Sequence, residues 1–249
     1  MLIDTHCHIH EADFPLPVDE VLDRAKDALV EKMICVGTGE LSSKAAIAFA
    51  ETHDNIWASI GVHPHDTKDG YAEIAQLAGT SKKIIAVGEI GLDYFYTHSP
   101  REMQLIALEE QIQIALRYDL PIIFHVREAF DDFWPLFDAY PNIRGELHSF
   151  TDSQENLDKA LARGLYIGVN GISTFTKDES QKAVFDSIPL DRILFETDAP
   201  FLTPVPFRGK VNEPAFVRNV AEYHADRRGI SLQEIADAST ANAQSLFAI

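Results

Sequence analysis

The chain has only two cysteines, Cys7 and Cys35, and both sit in apolar, strand-like runs. Two do not make a disulfide framework, so reduced, buried thiols are expected. Long apolar runs are also missing: none reaches the roughly 18 residues of a membrane span. The N-terminus, MLIDTHCHIH, has no basic region leading into an apolar stretch, so no signal peptide and a cytoplasmic location are expected. Cationic side chains are scarce: 21 Lys and Arg stand against 39 Asp and Glu, a formal charge of −18. That balance opposes broad attraction to nucleic acid or anionic membrane. A phosphate-bearing substrate is still compatible with it, because bound divalent cations reverse the charge locally. A small substrate or the end of a strand fits better than a long DNA-tracking surface. Linkers, low-complexity tracts and long charge blocks are lacking too, so a single domain over residues 1–249 is expected.

The 249 residues, 46% of them hydrophobic, suit one (β/α)8 barrel, which needs about 250. Eight short apolar runs read as strands: Leu2–His8, Met33–Gly37, Ile56–Val62, Ile84–Ile90, Pro121–His125, Arg144–His148, Leu165–Val169 and Arg192–Thr197. Helix-like stretches separate most of them. In one, Leu105, Leu108, Ile112, Ala115 and Leu116 line a single face. Strands alternating with helices imply a parallel sheet with crossover helices. A distorted TIM barrel with an extra C-terminal helix is the expected fold, and a doubly wound open sheet is the alternative. Ser231 with Glu234 forms a capping box for the terminal helix, and Pro214 suits the first turn of the helix before it.

Side chains two apart on a strand share a face. In Asp4-Thr-His6-Cys-His8, Asp4, His6 and His8 therefore point one way, and two imidazoles at a strand end make half a metal site. A pair of core histidines satisfied by polar neighbours is the competing reading. Four further strands also end in a polar group after a hydrophobic run: Glu89, His125, His148 and Asp198. Burying such groups costs free energy unless they are paired or bind a cation, and the repetition at the catalytic face of a barrel favours metal. Four His, one Glu and one Asp are too many for one tetrahedral ion and suit two divalent cations, held about 3.5–4 Å apart by a bridging carboxylate.

At these residues the chain resembles the TatD family of metal-dependent deoxyribonucleases, within the amidohydrolase-like barrel superfamily. The matching stretches are DTHCH (4–8), GVHPH (61–65), VGEIGLDY (87–94), FHVREA (124–129), LHSF (147–150), ETDAPFLTP (196–204) and RGKVNEP (208–214), in family order. The resemblance implies that His6, His8 and Asp198 hold one metal, that His125 and His148 hold the other, and that Glu89 bridges them. It also implies a (β/α)8 barrel and Mg²⁺- or Mn²⁺-supported trimming of DNA from the 3′ end. Four imidazoles favour Zn²⁺, Mn²⁺ or Fe²⁺ over Mg²⁺, so the identity of the ion among Mg, Mn and Zn stays open. Glu146 departs from the family pattern, which often has a small or apolar residue there; it shares a face with His148 and either orients that ligand or pairs with an inward cation.

Asp198 and Glu89 are the expected catalytic residues, with Asp198 accepting the proton of the attacking water. By the resemblance, His63 contacts a phosphate at the metal rim; a loop histidine at a turn fixed by Pro64 is the bland reading, and His65 has the weaker claim. Arg127, two residues past His125, offers a bidentate guanidinium to a phosphate oxygen or pairs with Glu128. Asp93 either supports a ligand or forms a turn. Glu196 supports the interior, and Arg208-Gly209 with Asn212-Glu213-Pro214 reads as an ordered loop. Tyr94, Phe95, Phe150, Phe175 and Phe201 cluster near strand ends, where bases stack on some or where they close the core.

The expected substrates are DNA ends or a small phosphoester, with no membrane and no obligate protein partner. An amidohydrolase cleaving a small-molecule C–N bond is the second reading. Many binuclear members of that superfamily bridge their metals with a modified lysine from strand four, whereas here that strand offers Glu89, and Lys82 and Lys83 lie at its opposite end. A metal-binding scaffold is the third.

Overall fold

The computed structural model describes residues 1–96 and 98–249. In chain order the strands and helices are β1 (Leu2–Cys7), α1 (Val18–Asp27), β2 (Val30–Val36), α2 (Glu40–Glu51), β3 (Ile56–Ile60), α3 (Ile74–Leu77), β4 (Ile84–Asp93), α4 (Arg101–Arg117), β5 (Ile122–Arg127), α5 (Phe130–Asp138), β6 (Gly145–Leu147), α6 (Gln154–Ala162), β7 (Tyr166–Val169), α7 (Ile172–Phe175), α8 (Glu179–Ser187), β8 (Ile193–Phe195), α9 (Val217–Arg228) and α10 (Leu232–Phe247). All eight expected strands are present, and their order in the sheet is their order in the chain. This is the (β/α)8 class, with α10 as the extra terminal helix. No helix among the described residues is long and apolar enough to cross a membrane.

Backbone packing divides the chain into two units, Met1–Cys35 with Ser149–Ile249, and Val36–His148. In the first, β1 pairs in parallel with β2, and β7 with β8. Beyond β8 the chain bridges back to β1 through Ala199 and Cys7. Asp4 secures this junction from full burial: its carboxylate accepts the Thr197 N–H at 2.9 Å and the Thr197 hydroxyl at 2.6 Å. Burial raises its pKa well above the usual range, against the lowering effect of those bonds. Helix α10 packs on β1 and β8. The Ser231 hydroxyl caps it by accepting the Glu234 N–H, the serine half of the expected capping box, and Pro214 opens the turn leading into α9, as the sequence indicates.

In the second unit β3, β4, β5 and β6 pair in parallel. Strand β4 is buried at all ten positions, as expected where a parallel strand is covered on both faces. It runs three residues beyond the Ile90 expected from its apolar run. Gly91 explains the extension. It pairs with His125, and a Cβ there would lie 1.7 Å from the His125 carbonyl oxygen, so only glycine lets β4 stay against β5 to Asp93. Helix α4 packs on β4. Its apolar face includes Leu108, Ile112 and Ala115, but also two buried glutamines seven residues apart, Gln104 and Gln111.

Candidate functional site

The expected ligands lie near or just past the C-terminal end of a strand, except Glu89, which sits inside β4 four residues before its end, and the local backbone explains how each is held. In the first unit, His6 and His8 straddle the end of β1. The Asp198 N–H donates to the His6 carbonyl at 2.8 Å, and the His8 N–H donates to the Ala199 carbonyl at 2.8 Å. Asp198 has φ 58°, a left-handed conformation that Asp tolerates better than most residues. The result is three converging donors. His6 Nε2 and His8 Nε2 are 3.2 Å apart, and Asp198 Oδ1 lies 3.8 Å from the first and 3.3 Å from the second. Ligands about 2.1 Å from a tetrahedral ion are about 3.4 Å from one another, so these separations fit a single cation among the three.

In the second unit the ligand atoms gather around Glu89 Oε1. His125 Nδ1 lies 2.8 Å from it, His63 Nε2 3.6 Å and His148 Nε2 3.8 Å. Glu89 and His148 are buried, at 4% and 6% exposure. His63, expected at the phosphate rim, therefore stands as close to this carboxylate as His148 does, and it forms a ligand-sized group with Glu89 and His125. Its position follows from two anchors. Gln111 accepts the Val62 N–H at 2.8 Å, and the His63 N–H donates to the Thr38 carbonyl at 2.9 Å. Burial holds the His63 pKa well below the usual imidazole value, against the attraction of Glu89. Neutral imidazoles are the form that binds a cation.

Asp93 serves both roles open to it in the sequence. Its Oδ2 lies 3.0 Å from His65 Nε2 and 3.0 Å from His125 Nε2, while Oδ1 accepts the N–H groups of Phe95 and Tyr96 at 3.0 Å each. It is thus a turn former and the outer support of His125. Burial opposes its ionisation, but the bonds to His125, Tyr96 and His65 hold its pKa below the usual carboxylate range. His125 responds in kind: burial lowers its pKa, the bonds to Asp93 and Glu89 outweigh that, and the value rises to about 8. Gln104 fixes the backbone of Asp93 from α4, accepting its N–H at 2.8 Å and donating to its carbonyl at 3.0 Å. Sequence reasoning passed over both α4 glutamines. Their one signal was a pair of amides on the apolar face of a helix.

Arg127 is exposed and lays its guanidinium over Phe95, 3.9 Å from the ring centre, and over Tyr96 at 5.1 Å. Glu196 accepts the Ser149 N–H at 2.8 Å and an Asn170 amide N–H at 3.2 Å, the supporting role expected of it. Glu146 is fully buried in β6. The segment from Arg208 to Pro214 is an anchored loop. Asn212 donates to the Thr197 and Phe201 carbonyls, Glu213 takes a forked contact from Arg24 at 2.9 and 2.6 Å, and Arg208 covers the Phe175 ring at 3.8 Å.

Known proteins are similar to this chain over its whole length. The chain is 38% identical to the metal-dependent hydrolase YabD of Bacillus subtilis, with 100% of both chains covered. It is 33% identical to the 3′-5′ ssDNA/RNA exonuclease TatD of Erwinia amylovora, again over 100% of both. The crystal structure of YJJV, a TatD homologue of Escherichia coli K12, superposes with a TM-score of 0.92 at 32% identity, covering 100% of this chain and 98% of that one. With the model of the TatD related DNase family matching residues 3–248, the chain belongs to that family and is a hydrolase of the TatD type.

Proposed function

We propose that the protein is a divalent-cation-dependent phosphodiesterase that removes nucleotides from the 3′ end of DNA. The observation that carries this reading is the convergence of imidazole nitrogens on single carboxylate oxygens at ligand spacing, around Asp198 and again around Glu89. The donor chemistry fits divalent cations: imidazoles, which bind a cation in their neutral form, and anionic carboxylates, brought together where burial would otherwise penalise them. His6, His8 and Asp198 would hold one ion, and Glu89, His125 and His148 would hold another, with His63 beside them. Bound cations would lower the pKa of a water toward neutrality and offset the charge of a phosphodiester. Asp198 accepts the proton of the attacking water. His63 and Arg127 contact the phosphate oxygens. The name of the Erwinia relative points the same way, and strand four offers a glutamate rather than the lysine that binuclear amidohydrolases modify.

The test is hydrolysis by chelator-stripped protein reloaded with Mg²⁺, Mn²⁺ or Zn²⁺, on 3′-ended single-stranded DNA, a generic phosphodiester and a panel of cyclic amides. Cation-dependent release of mononucleotides is expected, together with a loss of at least about a thousandfold in Asp198→Ala. Turnover confined to the amides, or near-wild-type nuclease activity in the variant, would refute the proposal.

A further inference from the structure

The residues that follow β4 combine a fixed backbone with open side chains. Tyr94 donates its N–H to the Arg127 carbonyl at 3.0 Å and its hydroxyl to Asp132 at 2.5 Å. The N–H groups of Phe95 and Tyr96 are both bound to Asp93. The two rings that follow are nevertheless exposed, Phe95 at 48% and Tyr96 at 43%. Single exposed apolar side chains are ordinary on a protein surface. Two adjacent rings on a pinned backbone, overlaid by an exposed guanidinium in a chain of charge −18, are a more specific feature. The rings also lead back to the candidate metal ligands. Tyr96 contacts His65 at 5.4 Å between centres, His65 contacts His63 at 4.3 Å, and His63 contacts His125 at 4.4 Å.

We propose that Phe95 and Tyr96, with Arg127 laid across them, form a stacking platform for unpaired bases of the strand whose terminal phosphodiester lies at the Glu89 cluster. This rests on the phosphodiesterase reading above and adds what selects the substrate. A ring or a guanidinium plane accepts any base, because every base has a π face. In a duplex those faces are covered by neighbouring bases, so the platform favours single strands without reading sequence. The cation supplies local attraction for the phosphate backbone in a chain that otherwise repels it. Because Asp93 holds both His125 and the backbone of the two rings, the platform is set in a fixed place relative to that ligand.

The variants that test this are Phe95→Leu, which keeps apolar volume without the π face, and Phe95→Trp, which keeps the π face. For Mn²⁺-loaded protein, the readout is kcat/KM on 5′-labelled (dT)8 divided by kcat/KM on bis(p-nitrophenyl) phosphate. Phe95→Leu is expected to lower this ratio about tenfold, mainly through KM, and Phe95→Trp to restore it. Removing the bases of the three 3′-terminal nucleotides of (dT)8 should cost the wild type a similar factor and cost Phe95→Leu little more. Equal ratios in wild type and Phe95→Leu, or the same penalty for base removal in both, would overturn the platform. Wild-type protein that hydrolyses neither substrate would instead count against the phosphodiesterase reading. The platform is then judged by the fluorescence anisotropy of labelled (dT)8, where about tenfold weaker binding by Phe95→Leu supports it and equal binding overturns it.

Discussion

At the scale of single residues, the second carboxylate of β4 has as much to do as the first. Glu89 gathers the imidazoles, and Asp93 holds one of them from behind. A carboxylate on the far nitrogen of a ligating histidine fixes its tautomer and orientation. Asp93→Asn keeps an oxygen for the Phe95 and Tyr96 N–H groups but loses the anion that faces His125. It is expected to weaken cation binding about 10- to 100-fold, as read by competition with a chelating dye, while unfolding stays cooperative. His10 illustrates a different use of charge. Burial opposes its protonation, but hydrogen bonds to Cys35 and Glu11 raise its pKa to about 9. Burial raises the Cys35 pKa, while bonds to Cys7 and His10 outweigh this and lower it. A charged imidazole favours the thiolate, so His10→Gln should shift the thiolate ultraviolet absorbance of Cys35 to higher pH. An unchanged titration would separate the two groups. The buried cysteines were legible from composition. Their histidine neighbour was not, because His10 lies beyond the strand and reaches Cys35 only through the turn that follows.

At the scale of elements, strand positions could be read from apolar runs because a parallel strand covered on both faces has few polar residues to blur it. The ends were harder. Nothing in the composition of Gly91-Leu-Asp93 says strand; the close approach of His125 decides it. Gly91→Ala would drive a methyl group into backbone at a position with φ 156°. Neither partner can yield without parting β4 from β5, so a loss of at least about 3 kcal/mol in urea unfolding is expected. Gly164→Ala is the control: φ is 75° there, but no atom lies within 4 Å of the added Cβ, and only the conformational cost of about 1–2 kcal/mol applies. Equal losses would remove the packing argument. The cap at Ser231 was legible because it is local in sequence. The anchoring of β4 by Gln104 was not, because the bond joins residues whose proximity depends on how α4 lies on the strand.

At the scale of the molecule, the acidic balance and the ligand inventory belong together. In a chain of charge −18, divalent cations among the clustered carboxylates would offset part of the excess negative charge. Stripping the cations should therefore lower stability as well as activity. An ion held at a hundred times its dissociation constant adds about 2.7 kcal/mol, which for a chain of this size raises the unfolding midpoint by about 5–10 °C. Calorimetry of chelator-treated and Mn²⁺-reloaded protein reads this directly, and the gain should shrink in Asp198→Ala. A midpoint indifferent to the ion would contradict the ligand assignment. The six candidate ligands stand out in the sequence because each follows an apolar run. The place of His63 beside Glu89 could not, because its loop is set by Gln111 and Thr38.

Asp93 is the last residue of β4, and Phe95 and Tyr96 lie two and three residues beyond it. Descendants of this sequence can therefore exchange those two rings for other side chains, and so adopt new clients, while every candidate cation ligand keeps its seat. Variation among relatives should concentrate at positions 95 and 96 and spare Asp93 and Tyr94 before them.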